Sequence, residues 1–192
     1  KWGLSRRDLE EYSAESHRRA AVAIKEGRFD KEIEPLNGLD MDETVREGTT
    51  VEQMSELDTI FGLSKITAAV SSQTCDGSSA MLIASENAVK KYNLKPRARI
   101  HHMSVRAEDP MIMLSAPIMT TNYALEKAGM KIDDIDLVEI NEAFAPVPIA
   151  WLKEIDFPHE KTNVNGGAIA LGHPIGATGT KLMTTLLHEL ER

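Results

Sequence analysis

Only one cysteine, Cys75, stands among the 192 residues. A single thiol excludes an internal disulfide framework and is compatible with a reducing compartment. Aromatic residues are scarce, at 5%, and no apolar run is long enough to span a bilayer, so no membrane is expected as a partner. Positive charge is in deficit: 22 Lys and Arg stand against 30 Asp and Glu, a formal net charge of −8. With no basic stripe to displace phosphate counterions, nucleic acid is not expected as a partner either. The chain also begins without methionine or a signal-like leader, and its last residues, Leu182 to Arg192, read as a helix with no Gly or Asn stop. These ends read as those of a fragment of a longer protein. A cytoplasmic location is expected, with organellar targeting left open.

What is present is enough for a sizeable core, arranged as strands alternating with helices. Ser5-Arg6-Arg7-Asp8 resembles a capping box. Leu9, Tyr12, Ala20, Ala23 and Ile24 then follow at helical spacing up to Gly27. The spacing predicts an amphipathic helix whose Glu10, Arg18, Arg19 and Lys25 are solvated and whose His17 is an ordinary surface histidine. From Phe29 to Lys65 the pattern is broken by Pro35, Gly38, Gly48 and Gly62, as expected of a surface excursion. It holds one short helical pattern (Val51, Met54, Leu57), and its Arg46 could simply pair with a neighbouring acid. Thr67 to Ser79 is a small, hydroxyl-rich loop suited to a ligand lying against backbone, with a turn predicted at Asp76-Gly77.

Strands are then expected at Ala80–Ala84 (buried on both faces), Ala98–Val105 and Leu137–Ile140. Helices are expected at Glu86–Tyr92, at Pro117–Ala128 closed by Gly129, and after Asn141 through Lys153, with Pro146 and Pro148 in or before its first turn. The order indicates an α/β sheet, whose ligands bind at the carboxyl ends of strands. Asn141 lies at such an end, and so does His173 by its place between elements.

His173 sits within 163–179, a stretch holding five glycines directly before the last helix. Glycines at this density allow positive φ and close approach of backbone to a ligand. A neutral imidazole can take a proton from a thiol or donate to an oxygen that gains charge, and an Asn amide can hold a water for the same oxygen. Together they have the makings of an oxyanion hole for acyl transfer. The nucleophile is missing: Cys75 lies beside the negative charge of Asp76, which does not favour a thiolate. No metal is expected, because adjacent His101 and His102 face opposite ways on a strand and His159 and His188 lack partners at ligand spacing. The glycines match neither G-x-G-x-x-G nor the P-loop.

These residues resemble the thiolases, acyl-CoA C-acyltransferases and acetyl-CoA acetyltransferases among them. Asn163 to Gly179 is similar throughout to the family signature N-x-x-G-G-x-I-A-x-G-H-P-x-G-x-T-G, and Asn141-Glu142-Ala143-Phe144 matches N-E-A-F. Thr67 to Gly77 resembles the pantetheine-contact loop, and Asp42 to Thr50 the segment near the nucleotide end of CoA. The resemblance implies a layered αβαβα thiolase-like fold, here partial. It implies the later part of the loop domain at 1–75, the last strand and helix of the N-terminal domain at 76–96, and a truncated C-terminal domain at 97–192. It implies that His173 activates a cysteine and stabilises the thioester oxyanion, that Asn141 holds the oxyanion-hole water, and that Ser72 bonds the pantetheine arm. Met113, Ala143 and Phe144 would line the pantetheine and thioester tunnel, and Arg46 and Leu57 would lie near the adenine–phosphate end of CoA. CoA and acyl-CoA are then substrates, no cofactor is held permanently, and the full-length protein is a homodimer or homotetramer.

The chain departs from the family at three points. Both catalytic cysteines of the family, one before this segment and one after it, are absent, so the chain alone is expected to be inactive. In the pantetheine loop Ala69-Val70 stands for Gly-Asn, Gln73 for a glycine and Cys75 for an Asn. N-E-A-F in place of a histidine-led motif points away from the sterol-carrier type. The alternatives are a non-catalytic acyl-CoA-binding protein on the same fold and, more weakly, a ketosynthase-like condensing enzyme. The latter is disfavoured because Asn141 and His173 stand where such enzymes carry two histidines.

Overall fold

In the computed structural model, Ser5 and Asp8 close the first helix reciprocally. The Asp8 N–H donates to the Ser5 hydroxyl (3.1 Å) and the Ser5 N–H to the Asp8 carboxylate (2.7 Å). Helix α1 runs Arg6–Lys25, and the chain leaves it through Gly27 at φ 67°. The structure describes residues 1–60, 62 and 65–192. Phe61, Leu63 and Ser64 of the predicted excursion lie outside the described residues.

α1 is the spine of the core. Its Leu9 and Tyr12 pack with Leu4, Val70, Ala145, Ile149 and Ile169. Two turns further, Ala20 and Ala23 pack with Phe29, Ala170 and Leu171. The polar face is less solvated than the pattern predicts. Glu10 is buried against the Arg6 guanidinium (2.7 Å). Arg19 reaches across to donate to the carbonyls of His159 (3.0 Å) and Thr162 (2.7 Å). Long stems and forked donors let such residues cover apolar surface while serving as hydrogen-bond bridges.

The excursion carries helix α2 (Val51–Ser55), capped by Thr50 and Gln53, and buries Met54 beneath it. The other predicted helices are present as α3 (Glu86–Lys91), α4 (Ala116–Ala128), α5 (Pro146–Ile155) and, at the C-terminus, α7 (Thr178–Glu191). Pro146 and Pro148 fall in the first turn of α5, where a missing N–H costs nothing. Gly129 ends α4 in the left-handed conformation. A four-residue helix, α6 (Ala168–Leu171), sits inside the glycine-rich stretch. α4 packs on α5, with the Trp151 indole donating to Thr121 (2.9 Å) over a cluster of Ile140, Ile155 and Phe157. Among the described residues no helix is long and apolar enough to cross a membrane.

The strand segments differ from expectation. Ala80–Ala84 forms no regular structure and is open, with Leu82 82% exposed, and Val105 at the end of Ala98–Val105 is 87% exposed. A continuous apolar run becomes a buried strand only when neighbours pair with both its edges, and no ladder forms on these segments among the described residues. Leu137–Ile140 makes a single parallel bridge, Val138 to Thr162. Asp76-Gly77 does not turn the chain. A side chain on Gly77 would come 2.9 Å from the Pro174 ring, so the glycine serves close packing.

Candidate active site

Three loops meet beside α1. Residues 70–72 run antiparallel to 143–145, with the Ser72 N–H on the Ala143 carbonyl (3.0 Å) and the Ala145 N–H on that of Val70 (2.9 Å). This places Ser72, Ala143 and Phe144 against one another, with Ser71 and Phe144 bridged. One residue on, the Gln73 N–H reaches the Ala168 carbonyl (3.4 Å) and its own carbonyl accepts the His173 N–H (3.0 Å). The hydroxyl-rich loop, the Asn141 loop and the glycine-rich loop are thereby one unit. An open cleft of ≈ 440 Å³ beside it is bounded by Cys75, Asp76 and Ser78 on one side and Pro174 and Ile175 on the other.

The unit is anchored by Glu142, a residue of the N-E-A-F motif to which the sequence assigns no role. The Glu142 side chain is buried, and its carboxylate accepts from Tyr12 (2.9 Å), Ser16 (2.8 Å), the Asn163 amide (2.9 Å) and the Ile169 N–H (3.1 Å). Four donors from three elements hold the residue next to Asn141 in place. Burial, with the Glu142 charge second, pushes the Tyr12 phenol well above its ordinary value, so it remains a donor. Asn163 completes the brace by exchanging two hydrogen bonds with the Ile140 backbone, both 2.8 Å. Glycine is required at 167 because any side chain there would overlap the Glu142 carboxylate. Glycine is required at 172 for its φ of 81° and because a side chain would overlap the Cys75 sulfur. Gly176 and Gly179 meet no such constraint.

His173 and Asn141 are in direct contact, Nε2 to Nδ2 at 3.3 Å. On the other side of the ring, Nδ1 lies 2.7 Å from the Thr178 hydroxyl, which itself donates to the Pro174 carbonyl (3.0 Å). With the Thr178 hydrogen on the Pro174 carbonyl its oxygen accepts, which assigns the ring proton to Nδ1. Nε2 is then bare and accepts from the Asn141 amide. That network assigns the amide orientation, and it leaves the buried Asn141 Oδ1 with no donor among the described residues. The arrangement supplies a proton acceptor beside an oxygen able to hold a water.

The remaining predicted residues lie further out. The Arg46 N–H donates to His17 Nδ1 (3.1 Å), while its side chain is exposed. No ion pair to its guanidinium forms among the described residues, so the expected pairing with a neighbouring acid is not seen. His17 is not a surface histidine. It is buried, and burial, with the Arg46 charge second, lowers it to about 4. Leu57 is exposed, its carbonyl held by Arg6 (2.7 Å). Met113 is 65% exposed at a left-handed turn (φ 52°) before α4 and takes no part in the hydrogen bonds around His173. Among the described residues no group of three or more His, Cys, Asp or Glu is placed to hold a metal.

Residues 1–87 match the description "Thiolase, N-terminal domain" and residues 94–192 "Thiolase, C-terminal domain". The chain is 57% identical to the steroid 3-ketoacyl-CoA thiolase FadA6 of Mycobacterium tuberculosis, over 100% of this chain and 48% of that protein. It is 45% identical to a 3-ketoacyl-CoA thiolase of Aeromonas salmonicida, over 98% and 52%. The structure superposes on human mitochondrial 3-ketoacyl-CoA thiolase in complex with CoA with a TM-score of 0.95 at 43% identity, covering 98% of this chain and 49% of that one. The chain thus spans about half the length of the curated relatives it matches, and the fold is the thiolase-like α/β fold.

Proposed function

The chain belongs to the thiolase family, and from that premise we propose that it supplies the histidine–asparagine part of an acyl-CoA C-acyltransferase site. The complete enzyme cleaves a 3-oxoacyl-CoA with CoA, or condenses two acyl-CoAs, through a cysteine thioester. The observation that carries this reading is the placement of the His173 ring, with Nδ1 on Thr178 at one side and Nε2 met by Asn141 at the other.

In the proposed reaction Nε2 takes the proton of the nucleophilic cysteine thiol, and the thiolate attacks the acyl carbonyl. The imidazolium then turns its new N–H on the oxyanion, while Nδ1–H stays on Thr178. Protonated Nε2 can no longer accept from Asn141, so the ring N–H is released toward the substrate oxygen. A water donating one hydrogen to Asn141 Oδ1 keeps the other for the same oxyanion, which gives two donors where charge develops. Ser72, Ala143 and Phe144 face the pantetheine arm, with Met113 further along the tunnel. Arg46 and Leu57 lie toward the nucleotide end, where an exposed guanidinium suits phosphate. CoA is a substrate in this scheme, not a resident cofactor. The proposed domain division is 1–75 for the loop domain, 76–96 for the end of the N-terminal domain and 97–192 for the C-terminal domain. The 57% identity to a relative named for steroid 3-ketoacyl-CoA makes a ring-bearing 3-oxoacyl-CoA the first substrate to assay.

The test is CoA-dependent thiolysis by the complete protein that carries this chain, beside the purified chain alone. The complete protein is expected to show ping-pong kinetics and the chain none. Turnover of acetoacetyl-CoA by the chain alone, in proportion to its concentration, contradicts the reading, as does an inert complete protein.

A further inference from the structure

We propose that Gln73, acting with Thr44, is a positioning residue for His173. The proposal rests on the thiolase reading for its kinetic consequence but on hydrogen bonds alone for its geometry. α6 is only four residues long, so its last carbonyls need donors from elsewhere. Gly172 N–H serves the Ala168 carbonyl (2.9 Å). The carbonyls of Ile169 and Ala170 are served from outside the helix, the first by the Gln73 side chain and the second chiefly by Thr44. The Gln73 Nε2 lies 3.1 Å from the Ile169 oxygen and 3.4 Å from that of Ala170, and 2.7 Å from the Thr44 carbonyl. The Thr44 hydroxyl adds a bond of 2.6 Å to the Ala170 carbonyl. The same Gln73, through its own carbonyl, holds the His173 N–H at 3.0 Å. One residue therefore fixes the end of α6 and the backbone of His173, with only Leu171 and Gly172 between.

Loss of the Gln73 amide leaves the Ile169 and Thr44 carbonyls without that donor and loosens the end of α6 two residues before His173, which misplaces Nε2 without removing it.

The test uses Gln73→Met, which keeps length and loses both donors, with Gln73→Glu as the second variant. Two readouts are taken in the complete protein: amide hydrogen exchange at His173, and kcat and KM for thiolysis. In Q73M, His173 exchange is expected to rise about tenfold while Leu9 and Ala20 of α1 keep native rates. kcat is expected to fall about 100-fold with KM within about twofold, the signature of misplaced chemistry. Q73E, a carboxylate facing three carbonyls, should match or exceed that loss at pH 8. It should recover relative to Q73M on acidification, as a protonated carboxyl regains one donor. Native exchange at His173 in Q73M overturns the proposal, as does exchange rising equally through α1, or a KM effect with native kcat. Faster exchange confined to His173, with no turnover even in the unsubstituted protein, leaves the clamp standing and removes the thiolase reading instead.

Discussion

A neutral imidazole has one N–H to place, and at His173 the choice is made by the hydroxyl of Thr178, whose own hydrogen is already on the Pro174 carbonyl. Thr178→Val keeps the shape and removes that acceptor. We expect ¹⁵N spectra of the ring to change from one tautomer to a mixture, and turnover to fall at least about tenfold, in line with general acid–base contributions of 10²–10⁴. A single unchanged tautomer would refute the assignment. His17 gives a pH prediction. Its folded pKa, about 4, lies below the ordinary 6.5, so the unfolded state binds the proton first. The stability this ring contributes is complete above 6.5 and is lost as pH falls toward 4. His17→Asn keeps an acceptor for the Arg46 N–H without a titrating ring. The urea midpoint of the native protein should therefore drop more steeply between pH 7 and 5 than that of H17N, and parallel curves would contradict this. His173 and Asn141 were legible because motif spacing and position between elements both mark them. The burial of His17 was not, because the residue that covers it, Arg46, is 29 positions away.

At the scale of elements, the helices were readable because their signals are local. Ser5 and Asp8, Pro146, and Gly129 each act within a turn of their own position. Strands are not local, since an apolar run declares a tendency and its partner decides the outcome. Ala80–Ala84 and Ala98–Val105 have the composition of strands and no ladder among the described residues. The brace around Glu142 was hidden for the same reason: its donors Tyr12 and Ser16 are 130 and 126 positions distant. Glu142→Ala strips a partner from four buried donors at once. It should lower unfolding free energy by about 3 kcal/mol or more, given about 1–3 per unsatisfied buried group. Equilibrium urea unfolding measures this, and a loss below about 1 kcal/mol would show that the brace is not what orders these loops.

For the molecule as a whole, α1 holds the hydroxyl-rich loop, the N-E-A-F loop and the glycine-rich loop in one body, and the chemistry depends on that convergence. Fold and family follow from matches along both parts of the chain, while the proposed activity needs thiols that the mechanism draws from outside it. In the proposed mechanism the chain contributes a base, a water-holding amide and a surface for CoA. At the centre of the proposed mechanism, His173 Nε2 handles both the proton and the oxyanion. The most direct measurement is kcat for 3-oxoacyl-CoA thiolysis by the complete protein and its His173→Ala variant, with folding checked by the native exchange of the α1 amides. A fall of about 10²–10³ or more in kcat is expected, the effect of removing one oxyanion donor and the base together. Turnover within about threefold of native would contradict it.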